Sequence, residues 1–109
     1  MAIRVERHEH IAVVCIERPE ALNAINSVDR AALRTAWNLV RADETIWVAV
    51  LTGAGDKAFC AGNDLHNPPP EPEQFVAGYL AAGRESIIAG MDMTKPLIAA
   101  VNGYALGGG

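Results

Sequence analysis

A chain of 109 residues and 11.6 kDa has room for one small domain and one modest core. Thirteen acidic side chains against nine basic ones give a net charge of −4, which excludes a protein built to grip nucleic-acid phosphates. Half the residues are hydrophobic and a fifth are charged, which excludes a disordered tail. The longest apolar runs, IAVVCI and IWVAVL, have six residues each, against the roughly 20 that cross a bilayer. Arg4, Glu6, Arg7 and Glu9 stand where the apolar stretch of a secretory signal would begin. Cys15 and Cys60 make no disulfide framework and read as reduced, buried small hydrophobes. The expectation is a soluble, cytoplasmic globular chain with no metal site and no nucleic-acid or membrane partner.

In chain order, IRVERHEHIAVVCIER predicts two short strands that turn back on each other at HEH. Pro19 ends the second strand. Ser27 is the expected N-cap of a helix, with Asp29 in the first turn where the helix dipole favours an acid. Ile25, Val28, Ala32, Ala36 and Leu39 recur at intervals of three and four and predict its buried stripe. Arg30, Arg34, Asn38 and Arg41 line the solvated face. IWVAVLTG is β-branched and unbroken, the pattern of a strand covered on both faces. TGAGDKAFCAGNDL reads as a glycine-rich loop and HNPPPEPE as a surface loop. Val76, Leu80, Ile87 and Met91 are in helical phase, predicting a second helix from Glu73 to about Gly90. Lys95-Pro96 ends it, and LIAAV reads as another fully buried strand.

Strand, helix, strand, helix, strand is an α/β order with no internal repeat and no linker. A triple-glycine turn after a strand normally launches a further element. The expectation is therefore that residues 1–109 are the front portion of one longer domain, whose last strand lacks the helix that should cover it.

Two glycine-rich segments invite chemistry. GAGDKA has the G-x-G-x-x-A spacing of a dinucleotide-binding turn, which needs an uninterrupted helix behind it. Gly62 and Pro68–Pro70 arrive too early for that helix, and no Walker A string occurs. AFCAGNDL and YALGGG, each following a strand, can instead leave backbone N–H groups unpaired and pointing outward. Two such donors converging on one point make an oxyanion hole. From the residues alone, ordinary glycine turns are the more frequent explanation of both.

Three ordered segments resemble the crotonase, or enoyl-CoA hydratase/isomerase, superfamily. ERPEALNAIN resembles its early R-P-x-x-x-N-A segment. VLTGAGDKAFCAGNDL resembles its first oxyanion-loop signature with one extra residue between glycine and phenylalanine, and KPLIAAVNGYALGGG resembles the second signature. The match runs over essentially all 109 residues. The resemblance implies the crotonase-like α/β spiral of ββα units, here its N-terminal part, and assembly of the full-length protein as a homotrimer or dimer of trimers. It implies an acyl-CoA thioester substrate, with no cofactor beyond the coenzyme A that the substrate carries.

Carried over by position, the resemblance implies backbone N–H donors at Asn63 and Gly108, the latter at the head of a helix. Ala61 would offer its carbonyl to the adenine amino group, with Gly62, Asp64, Leu65 and Gly107 also among the substrate- and CoA-binding residues. Ala21, Leu22 and Ala24 would lie along the pantetheine and nucleotide arm. Asp64 reads as a turn-fixing residue accepting local N–H bonds. Asn63 stands where many hydratases have alanine, a change a backbone donor tolerates. The implied reaction is hydration of a trans-2-enoyl-CoA to a 3-hydroxyacyl-CoA. Isomerisation, thioester hydrolysis, dehalogenation, ring cleavage and non-catalytic acyl-CoA binding remain alternatives.

The two glutamates that serve the hydratases as general acid and base match no position here, so the 109-residue chain alone is expected to be inactive. His8 and His10 fall at the expected hairpin turn, and His66 is a lone loop histidine. Glu73 and Glu85 read as surface charges.

Overall fold

In the computed structural model, residues 2–65 and 94–109 are described. The expected helix from Glu73 to about Gly90, the proline loop, His66 and Glu85 lie outside the described residues. Strands β1 (Ile3–His8) and β2 (Ile11–Ile16) form the antiparallel hairpin, pairing Ile3 with Ile16 and His8 with Ile11. Glu9, at φ 55°, turns the chain between them. His10 stacks flat on Trp47, with ring centroids 3.6 Å apart, and its Nδ1 lies 2.8 Å from the Thr45 carbonyl.

Helix α1 (Ser27–Ala42) begins one residue earlier than Ser27 predicts. Asn26 is the N-cap: its side chain accepts from the Asp29 N–H at 2.9 Å, and Asp29 accepts from the Asn26 N–H at 3.0 Å. This reciprocal capping box turns Asp29 inward, where it is buried. The buried face is then Leu33, Ala36, Trp37 and Val40. Val28 and Leu39, expected inside, are 66% and 50% exposed. Counting the stripe from Ile25, which precedes the helix, sets the wrong phase.

Strand β3 (Val48–Gly53) pairs parallel with β2, and β5 (Leu97–Ala100) pairs parallel with β3, giving the sheet order β1-β2-β3-β5. The buried face of α1 packs with Ile3, Ala12, Val14 and Ile16, with Ala49 and Leu51 of β3, and with Ile46, Phe59 and Cys60. Burial along β3 alternates, Ala49, Leu51 and Gly53 inward and their neighbours half-buried, so β3 is not covered equally on both faces. LIAAV is not a fully buried strand either: Ile98 and Val101 are more than half exposed.

Two strands escape the sequence reading. β4 (Ala58–Cys60), all buried, lies inside the segment expected to be loop, and it pairs parallel with β6 (Tyr104–Ala105). These two short strands bring the glycine-rich segments side by side.

Lys95, expected only to end a helix, also completes α1. Its ammonium donates to the carbonyls of Val40 at 2.7 Å and Asp43 at 2.6 Å, at the helix end where the macrodipole favours a cation. Among the described residues no helix is long and apolar enough to cross a membrane, and no group of three or more His, Cys, Asp or Glu is placed to hold a metal ion.

Candidate active site at the paired glycine loops

The GAGDKA segment runs directly into β4, so no helix N-terminus stands behind its glycines. That removes the support a pyrophosphate would need and leaves the two loops beyond β4 and β6 as the candidate site.

The first loop, residues 61–65, is backed by residues 22–25 in a strand-like ladder. Ala61 N–H donates to the Leu22 carbonyl at 3.1 Å, Ile25 N–H to the Gly62 carbonyl at 2.9 Å, and Asp64 N–H to the Ile25 carbonyl at 2.9 Å. The peptide joining Gly62 to Asn63 is trans, so its N–H points opposite to its carbonyl. With the Gly62 carbonyl aimed at Ile25, the Asn63 N–H faces away from the ladder. It donates to no backbone carbonyl among the described residues.

The second loop closes through Gly109 N–H donating to the Leu106 carbonyl at 2.8 Å, with Gly107 at φ +58°. The central amide of such a turn, here Gly108 N–H, lies outside the ring. It too donates to no backbone carbonyl among the described residues. Leu106 N–H donates to the Cys60 carbonyl at 3.0 Å, which fixes this turn to the end of β4.

Gly62 joins the loops. It sits at φ +98°, and a Cβ there would lie 2.8 Å from the Leu106 carbonyl oxygen and 3.4 Å from the Gly108 nitrogen. Only glycine allows both that backbone angle and that approach. Asn63 and Gly108 are exposed, Ala61 is half-buried, and Leu65 is 91% exposed. On the backing segment Leu22 is 42% exposed and Ala21 half-buried, whereas Ala24 is buried at 8%.

The profile of the enoyl-CoA hydratase/isomerase family matches residues 6–109. The chain belongs to this family. It is 48% identical over its whole length to the (E)-benzylidenesuccinyl-CoA hydratase of Thauera aromatica, of which it covers 42%. It is 37% identical over 98% of its length to the crotonyl-CoA hydratase of Syntrophomonas wolfei, of which it covers 41%. Its fold matches the crystal structure of the enoyl-CoA hydratase from Bacillus anthracis at a TM-score of 0.86 and 31% identity, covering all of this chain and 43% of that one. The chain thus spans about two-fifths of the length of these relatives, and its architecture is the crotonase-type mixed α/β fold.

In this family member, several polar side chains that hold the loops were not visible as such in the sequence. Asn23, fully buried at φ 57°, accepts from Arg18 N–H at 2.9 Å and donates to the carbonyls of Ala54 at 3.0 Å and Ala58 at 2.8 Å. Asn102 does the same for the second loop, accepting from Gly53 N–H and donating to the Gly55 and Ala58 carbonyls. Arg30 donates to the side-chain oxygen of Asn63.

Asp64 reaches beyond its own turn. Its Oδ2 accepts from Arg18 at 3.2 Å, across 46 residues, and its side chain is 8% exposed. The same guanidinium donates to Asp29 and to the Ala24 carbonyl, each at 3.1 Å. Hydrogen bonding to Asp64, and then to Asp29, holds the Arg18 pKa above the ordinary arginine value. The signal for Asn23 is its place in the R-P-x-x-x-N-A segment, since asparagine is the side chain that best tolerates the left-handed backbone found there.

Proposed function

We propose that the full-length protein hydrates a trans-2-enoyl-CoA to a 3-hydroxyacyl-CoA, with the thioester oxygen held between the Asn63 and Gly108 N–H groups. The observation that carries this reading is the pair of backbone amides that meet no backbone acceptor among the described residues, on two loops packed against each other through Gly62. As water adds to the double bond, the thioester becomes enolate-like and its oxygen gains negative charge. Two preorganised donors stabilise that charge where a neutral carbonyl gains little, and each is worth on the order of 3 kcal/mol in a transition state.

In this reading the coenzyme A arm runs along Ala21 and Leu22, with Ala24 contributing from beneath. The Ala61 carbonyl takes the adenine amino group, and Gly62, Asp64, Leu65 and Gly107 shape the channel. No bound cofactor or metal is called for, because the chemistry is proton transfer and charge stabilisation. The general acid and base are supplied by residues other than these 109. Hydration is also the reaction in the names of the Thauera and Syntrophomonas relatives. The working form is a cytoplasmic trimer or dimer of trimers.

The test is loss of enoyl-thioester absorbance with crotonyl-CoA and an aryl-substituted enoyl-CoA, using the full-length protein. Gly108→Pro, which removes a donor, is expected to lower turnover roughly 10²- to 10³-fold. Asn63→Ala, which keeps its donor, is expected to change acyl preference more than rate. Gly108→Ala, keeping the N–H, separates donor loss from crowding. Full activity in Gly108→Pro would overturn the assignment.

A further inference from the structure

We infer that Arg18 is a positioning residue for the first donor: its guanidinium, clamped between Asp64, Asp29 and the Ala24 carbonyl, fixes the plane of the Gly62–Asn63 peptide. This rests on the reading of that amide as an oxyanion donor.

Among the described residues the Asn63 N–H meets no backbone acceptor that would hold it in place, so its direction is set by the groups on either side. One side is the ladder, in which Ile25 contacts both the Gly62 carbonyl and the Asp64 N–H. The other is the Asp64 side chain, immediately after the donor residue. Arg18 reaches both: one nitrogen donates to the Ala24 carbonyl, next to Ile25, and to Asp29, while another donates to Asp64. Asp29 is in turn the third residue of the α1 capping box. A single planar group therefore ties the start of the helix, the backing segment and the donor loop into one unit.

Burial makes this clamp stiff. The Asp29 and Asp64 side chains are 7% and 8% exposed and that of Arg18 is 24% exposed, so the charges sit in a poorly screened environment. The fork geometry of arginine holds several acceptors in fixed directions, which a lysine ammonium does not. Arg18→Lys keeps the charge between the two carboxylates and loses that direction. It is the informative variant, because Arg18→Ala would remove the cation between two buried carboxylates and threaten folding.

Hydrogen exchange by mass spectrometry on the full-length protein tests the clamp without reference to activity. In Arg18→Lys and in Asp64→Asn, amides in the segments 22–26 and 60–65 are expected to exchange at least about 10-fold faster, while those of β2 and β3 stay unchanged. Steady-state kinetics with the same variants should show kcat lowered on the order of 10- to 100-fold, less than outright loss of a donor, with KM within about threefold. Arg7→Gln, which breaks an exposed pair with Asp43 at the other end of α1 from the clamp, should leave both measurements at the parental values. Unchanged exchange in the two segments overturns the inference, as does faster exchange with kcat kept within twofold. A parent protein that turns over no enoyl-CoA refutes the proposed reaction instead, and the exchange data still decide whether Arg18 holds the loop.

Discussion

Gly62 and Gly107 both carry positive φ, yet only one of them is crowded, and that contrast makes a quantitative prediction. Gly62→Ala places a methyl at φ +98° with its carbon 2.8 Å from the Leu106 carbonyl oxygen. Gly107→Ala places one at φ +58° with nothing within 4 Å. The backbone term for Gly107→Ala is about 1–2 kcal/mol, the usual left-handed penalty of a residue with a Cβ. Gly62→Ala meets a rarer backbone angle, about 1–3 kcal/mol, and must also push away a backbone oxygen that has no rotamer to change, a further ~1–3 kcal/mol by analogy with overpacked cores. Taken at the midpoints of these ranges, about 4 and about 1.5 kcal/mol, the expected gap between the two variants is about 2–3 kcal/mol. Urea unfolding of the full-length protein, followed by circular dichroism, reads it as a difference in midpoint at constant slope. Equal destabilisation by the two substitutions would refute the claim that the loops are packed through Gly62.

Trp37 is 1% exposed at the centre of the core, so Trp37→Ala is expected to cost about 3–5 kcal/mol in the same assay. Lys95→Met keeps the aliphatic stem but removes both bonds to the end of α1. It should cost about 1–3 kcal/mol, and a loss within error would show that the cap contributes nothing. The Asp43 carboxylate accepts from the Thr45 hydroxyl at 2.6 Å and the Thr45 N–H at 2.9 Å, which holds its pKa below the ordinary aspartate value. Its contribution to stability is thus present above the ordinary aspartate range and lost as pH falls through the depressed folded value. An NMR titration of the Asp43 carboxyl carbon should give a midpoint below that of the unfolded chain, and an equal or higher midpoint would contradict the bonding. Burial pushes the Cys60 thiol up, so iodoacetamide at pH 8 should label it far more slowly in the folded protein than in urea.

What the sequence made legible were the features written in local pattern. The hairpin shows in two apolar runs around HEH, and β3 in an unbroken β-branched run. Helix α1 shows in its period, although the phase was missed because the buried Asp29 is polar and Trp37 falls off the assumed stripe. Strand β4 was hidden because AFC is too short to carry a pattern and is flanked by glycines. Its identity as a strand comes from pairing with β6, about 45 residues away. The paired glycine loops stood out from ordinary turns only through the resemblance of their glycine spacing. Arg18 and Asn23 bond to each other locally, but their bonds to Asp64, Ala54 and Ala58, like those of Asn102, span 31 to 49 residues, which no local window of sequence contains.

Asn23 bears on the order in which the molecule assembles. Its side chain bonds reach 5, 31 and 35 residues along the chain, to Arg18, Ala54 and Ala58. Leu22 and Asn23 both hold left-handed backbone, an unfavourable arrangement until those partners arrive. The hairpin and α1 can form from near neighbours, but the bend between them gains its anchor only once β3 and β4 have docked. The bend that backs the first glycine loop is therefore a late-closing latch on the folding pathway: weakening Asn23 should speed opening of the native state far more than it slows its formation.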